Sequence, residues 1–295
     1  MAALIVLALL HVPLAAGEPQ ASGGAPAREE GRPAAPDAPT GLGRAARDFA
    51  SDTGRIWSSP FRIKERDIAP LLVLASATAI LIAADEDIRV AFRGYAERHE
   101  WVRDAGPVIA QMGSWGAAAT AGIFYGAGLV FKDPRARDTG ALAARAIVQT
   151  FLVDFFVKGM TGRQRPYYED GEDRWSGPAG FFARFDPANE GRYDSFPSGH
   201  TATAFSVATV VALQYRHRPW VPVLAYALAA AVGLSRVTED RHWMSDVFVG
   251  AVLGHVIARL VVRDHRKRRR LVPVLGCSRR SVFLGFHYFS GPGGP

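Results

Sequence analysis

The chain has 295 residues, 48% of them hydrophobic and 21% charged, with 35 Lys and Arg against 28 Asp and Glu, a net charge of +7 and an isoelectric point near 9.8. Its mean hydropathy of +0.03 averages long uncharged blocks with charged connections. That distribution excludes a compact soluble globule and fits a multi-pass membrane protein whose arginines flank apolar segments or face phosphate, rather than a nucleic-acid binder. A single cysteine, Cys277, excludes an internal disulfide, a cysteine-based zinc site and an iron–sulfur cluster.

Residues 1–17 carry no formal charge and run from an apolar stretch into Ala15, Ala16 and Gly17, the pattern of a secretory signal. The absence of an early Lys or Arg, together with His11 and Pro13, leaves an uncleaved anchor as the other reading. Residues 18–43 are rich in Ala, Pro and Gly and hold too little apolar surface to offset the entropy of ordering, so a disordered linker is expected. In residues 44–66, Phe49, Ile56 and Trp57 share one helical face, which suits a helix resting in the membrane interface or an ordinary surface helix.

Six spanning candidates come next, at 68–84, 105–131, 139–157, 195–215, 219–235 and 242–262, within an expected membrane domain at 67–263. The third contains Arg145 and Asp154, which must face protein or the interface because charge facing lipid is costly. Connections are short except for a polar loop at 158–194. The tail, 264–295, opens with a basic run, and Val282, Leu284, Phe286 and Tyr288 alternate weakly as in a short strand.

With six spans of alternating direction, three polar clusters fall on one side of the membrane. The first runs from Lys158 to Arg165-Pro166, the second is Pro197-Ser198-Gly199-His200, and the third is Ser235-Arg236 with His242 and Asp246. This inventory suits a phosphoryl group. Lys158, Arg165 and Arg236 stabilise its persistent negative charge, while Ser198 and Gly199 offer a hydroxyl and backbone N–H groups at a helix start. His242 and Asp246, four residues apart, are expected on one helical face, with the carboxylate fixing the imidazole so that its other nitrogen attacks phosphorus. His200 is then the acid for the departing alkoxide and the base for water. Taken singly, each cluster also has a structural reading: flanking charges, a helix-start turn, a hydrogen-bonded pair. Three clustered cations argue against a bound divalent metal, and no cofactor is expected.

In order and spacing, Lys158-x6-Arg165-Pro166, Pro197-Ser198-Gly199-His200 and Ser235-Arg236-x5-His242-x3-Asp246 resemble the three-part signature of the type 2 phosphatidic acid phosphatase and haloperoxidase superfamily. The resemblance implies an all-α, six-helix membrane bundle with its site at the helix ends. It implies phosphate binding by Lys158, Arg165 and Arg236 with help from Ser198 and Gly199, phosphorylation of His242, orientation by Asp246, and acid catalysis by His200. Membrane members hydrolyse lipid phosphates such as phosphatidic acid, phosphatidylglycerol phosphate, isoprenoid diphosphates or lipid A phosphates. The expected partners are therefore a phospholipid or isoprenoid phosphate substrate and the bilayer, with no nucleic acid. A lipid phosphotransferase, a vanadium haloperoxidase and a non-catalytic lipid-phosphate binder or transporter are the alternatives. The Glu239-Asp240-Arg241 run within the third cluster has no assigned role and reads as a solvated loop.

Sidedness carries a conflict. A basic tail inside a bacterial cell places the site on the periplasmic face of the inner membrane, which is the expectation. Six spans then put residues 18–66 inside too, against a translocating signal.

Overall fold

The computed structural model describes residues 41–168, 175–278 and 281–288, with 41, 42, 44 and 269–288 described as backbone only. The expectations for residues 1–40, signal and most of the linker, lie outside the described residues.

The first helix, α1 (Gly41–Trp57), begins three residues before the expected boundary. Its apolar face docks on the bundle: Ile56 is 1% exposed within the main core, and Trp57 meets the Phe156 ring edge-on at 5.1 Å between centroids. A long helix, α2 (Glu65–Arg98), continues fourteen residues past the expected end of the first span. It passes through Asp85, whose carboxylate is fully buried against Arg163, and on through the charged residues that follow.

The single helix expected at 105–131 is two: α3 (Glu100–Gln111) and α4 (Trp115–Val130). The break is at Gly113, where a Cβ would stand 2.6 Å from the His200 carbonyl oxygen, so this turn of backbone must come closer than any side chain permits. Next, α5 (Pro134–Thr161) opens on Asp133, which accepts from the Arg135 N–H at 2.8 Å with proline at the first helical position. It stops at Gly162, whose φ of +50° is left-handed and where any Cβ would collide with the Gly177 carbonyl oxygen. The long polar loop contains a short helix, α6 (Gly177–Ala183), and leads to α7 (Gly199–Gln214), α8 (Trp220–Thr238) and α9 (Met244–Arg270). The tail then forms a two-stranded antiparallel hairpin, β1 (Leu271–Ser278) and β2 (Ser281–Tyr288), pairing Leu271 with Tyr288 at its open end. The alternation at 282–288 thus belongs to a real strand, whose partner the sequence pattern did not reveal.

Helices α2, α4, α5, α7, α8 and α9 make the expected six-helix bundle, and α7 packs against α5, α8 and α9 at its centre. Four of them, α2, α5, α8 and α9, are individually long and apolar enough to cross a membrane. The core is aliphatic, with Leu142 and Val153 of α5, Val210 of α7, and Leu253 and Ile257 of α9 essentially inaccessible. Outside, Leu72, Ile80, Ile123, Phe151, Val223 and Leu228 are exposed. Water would penalise that apolar exterior, whereas hydrocarbon accepts it, and the chain is accordingly a multi-pass membrane protein.

Arg145 and Asp154 do not pair with each other. Arg145 reaches Asp48 and Asp52 on α1, and Asp52 also takes Arg268 at 2.8 Å, while Asp154 lies 3.8 Å from Lys158. These contacts place α1 and the carboxyl end of α9 together at one end of the bundle. The three polar clusters lie at the other.

Candidate active site

Lys158 sits in the last turn of α5, and its buried ammonium donates to the carbonyl oxygens of Asp194 at 2.6 Å and Pro197 at 2.7 Å. Arg165, past the helix end, donates through Nε to the Asp194 carboxylate at 2.7 Å. Asp194 therefore holds both cations of the first cluster, one by its backbone and one by its side chain. Burial works against the Asp194 anion, but Lys158 and Arg165 outweigh it and hold the carboxyl below its usual range.

The backbone of residues 194–197 is a template for the site. Ser195 O accepts from His242 Nδ1 at 2.8 Å, and Phe196 O accepts from the Thr161 hydroxyl at 3.0 Å. Ser198 then begins α7. Its N–H donates to the Asp246 carbonyl at 3.0 Å and its hydroxyl accepts from Thr201 at 2.9 Å, while Gly199 leaves room for Asp154, whose Oδ2 would lie 3.1 Å from any Cβ there. His200 occupies the first turn of α7, within range of the charges of Arg236, Arg165 and Lys158. All three clusters thus meet at one end of the bundle.

The third cluster differs from the expected geometry. His242 precedes α9 by two residues, so it and Asp246 do not share a helical face; Asp246 is in the first turn and reaches back to the Trp243 N–H at 2.9 Å. The Asp246 carboxylate stands 3.6 Å from His242 Nδ1, farther than the Ser195 carbonyl. Asp246 also accepts from the Ser195 hydroxyl and from Arg163, each at 2.6 Å. With Nδ1 donating to a carbonyl oxygen, the imidazole is the tautomer whose Nε2 lone pair is free. Burial pushes the His242 pKa down to about 3; the Arg165 and Lys158 charges add to this, and Asp246 only partly opposes it. The ring is neutral at physiological pH.

Arg236, in the last turn of α8, pairs with Glu239, and its carbonyl oxygen accepts the N–H groups of Arg241 at 3.0 Å and His242 at 3.2 Å. The run at 239–241 is partly exposed, with Arg241 open to the surroundings, yet it is tied to the rest of the site. Asp240 takes Arg89 of α2 at 3.1 Å, and the Arg241 guanidinium lies over the Tyr167 ring at 5.1 Å.

Sequence reasoning missed a buried layer beneath these residues. Arg163, wholly inaccessible, links Asp246 to Asp85 of α2 at 2.7 Å and to the Ser245 hydroxyl at 2.7 Å, against the rings of Trp175 and Trp243. Asp85 in turn accepts the Ser245 N–H at 2.9 Å. The available signal was a carboxylate at the edge of an uncharged segment and a second arginine between Lys158 and Arg165.

Residues 139–270 match the family model described as PAP2 superfamily. The chain is 48% identical over 68 residues to the lipid A 1-phosphatase of Porphyromonas gingivalis, 23% of this chain and 15% of that protein. It is 31% identical over 138 residues to lipid phosphate phosphatase 1 of Arabidopsis thaliana, 40% of this chain and 42% of that one, so it spans less than half the length of either relative. Similarity to the phosphatidylglycerophosphatase B of Bacillus subtilis is 27% over 209 residues, 68% of this chain and 93% of that protein. The stretch that matches the family model contains all three clusters.

Proposed function

We propose that this chain is a membrane phosphatase that hydrolyses lipid phosphate esters without a metal ion, by way of a phosphohistidine at His242. The observation carrying this reading is the His242 ring itself: neutral, held through Nδ1 by the Ser195 carbonyl, and near Lys158 and Arg165. Nε2 attacks phosphorus as the bond to the lipid oxygen breaks, and His200 gives that oxygen its proton. In the second half-reaction His200 takes a proton from water, the water oxygen bonds to phosphorus, and the phosphorus–nitrogen bond breaks to release phosphate. Lys158, Arg165 and Arg236 hold the non-bridging oxygens throughout, with Ser198 and Gly199 at the α7 start contributing donors. Asp246 stabilises the His242 tautomer in concert with Ser195.

A lipid substrate is supported by the surroundings. A cavity of about 500 Å³ between α2, α3 and α8, lined by Phe92, Trp101, Ile109 and Leu234 and reaching Ser235 and Thr238 at the end of α8, suits a hydrocarbon chain. The relatives' names add lipid A 1-phosphate, phosphatidylglycerol phosphate and other lipid phosphates as the substrate class. For location, we infer a bacterial inner membrane with the site on the periplasmic face. The support is the basic carboxyl end of α9, which favours the cytoplasm, and its contact with α1, which keeps residues 41–57 on that same side.

Phosphate release from a panel of lipid phosphates by the purified protein in detergent tests the activity. Release that requires water alone as acceptor is expected. Transfer to added lipid alcohols outrunning release would instead make the protein a phosphotransferase. A protease-sensitive tag after residue 295, cleaved in intact spheroplasts, would overturn the sidedness.

A further inference from the structure

The two arginines assigned to phosphate are each held by a carboxylate of their own. Asp194 accepts from Nε of Arg165, and Glu239 forms an ion pair with a terminal nitrogen of Arg236 one turn along the same chain segment. Both acids are largely buried, at 22% and 19% side-chain exposure, so these contacts are more than surface pairings. They come from different elements, the loop before α7 and the end of α8. Neither acid is among the residues that the spacing of the three clusters singled out.

Donating through Nε leaves the two terminal nitrogens of Arg165 as the edge presented to an oxyanion. A carboxylate in this position has two opposed effects. It fixes the guanidinium before substrate arrives, which favours the transition state, and it repels any phosphate bound to the same cation, which weakens the ground state and the product complex.

We propose that Asp194 and Glu239 are positioning residues that orient Arg165 and Arg236 and also loosen the hold of the site on inorganic phosphate, so that product leaves. This rests on the phosphatase reading. The run at 239–241, without a role in the sequence, thereby gains one: Glu239 sets Arg236, and Asp240 ties the loop to α2.

The test compares Asp194→Asn, Asp194→Ala and Glu239→Gln in the full-length protein in detergent, with inorganic phosphate as the probe. Its binding is read by competitive inhibition and, independently of turnover, by the rise in unfolding temperature that it produces. Asp194→Asn and Glu239→Gln remove charge but keep an acceptor, and each is expected to bind phosphate about 5-fold more tightly. Their kcat is expected to fall only about 3-fold, against about 10-fold or more for Asp194→Ala, which loses the acceptor as well. A merely structural role would lower kcat or stability without tightening phosphate. Unchanged or weaker phosphate binding in Asp194→Asn overturns the proposal, and Glu239→Gln, on a separate element, decides it if that variant does not fold. Wild-type protein that binds phosphate yet hydrolyses no lipid phosphate would overturn the phosphatase reading, while the binding comparison still tests the carboxylates.

Discussion

Both ends of the bundle contain buried ionic clusters, and they are wired differently. At the α1 end, Arg268 touches Asp48, Asp52 and Asp264, Arg145 touches Asp48 and Asp52, and Arg55 takes Asp264 at 2.6 Å. These three cations are matched by carboxylates, and the cluster fastens α1 to α5 and α9. At the other end, Arg165 and Arg236 each meet one carboxylate and Lys158 is held mainly by carbonyl oxygens, with a neutral imidazole among them. The first arrangement is closed and structural. The second gathers Lys158, Arg165 and Arg236 around an imidazole, each with a single carboxylate neighbour among the described residues, so that further donors on each cation remain for an oxyanion.

Substitutions should separate the two ends. The largest effect is expected for His242→Ala, at roughly 100-fold or more in turnover, since it removes the nitrogen that attacks phosphorus. Arg165→Ala should come second at about 100-fold through loss of transition-state charge stabilisation, with the unfolding temperature little changed. Wild-type rates in either would erase the distinction between the ends. At the closed end, Asp52→Ala should lower stability by about 2 kcal/mol, because it removes the buried carboxylate that Arg145 and Arg268 share and leaves them only Asp48 and Asp264, while turnover per folded molecule stays within about 2-fold of wild type. Thermal unfolding in detergent beside a phosphate-release assay reads both quantities.

Acidity offers a subtler comparison. A free imidazole gains its proton near pH 6.5, but His242, depressed to about 3, keeps its lone pair as pH falls from 7 to 5. The rate of phosphoenzyme formation in single turnover should therefore not decline across that range, and a decline centred near 6.5 would contradict the burial argument. The smallest expected effect is none: excess chelator should leave activity unchanged, since the site is built from cations that attract oxyanions.

Much of this was legible in the sequence because its signals are local. Six apolar blocks separated by charge pointed to the bundle, and the spacing of Lys158 to Arg165, Pro197 to His200 and Arg236 to Asp246 marked three helix-end clusters. What escaped depends on tertiary approach. Gly113 breaks a continuous apolar stretch only because the His200 backbone comes within reach of it. Asp85, at the edge of an apolar block, is buried against Arg163, 78 positions away, a pairing that no local pattern announces. The imidazole of His242 is steered chiefly by a main-chain carbonyl, and Ser195 carries no side-chain signal for that role. The expectation that His242 and Asp246 share a helix face failed because α9 begins between them.

The most direct measurement is rapid quenching of the enzyme during turnover of a labelled lipid phosphate, with peptide mapping under alkaline conditions that preserve phosphohistidine. The label should sit on the peptide containing His242 and be lost in His242→Ala. Turnover with no trapped label, or label on another residue, would contradict the account.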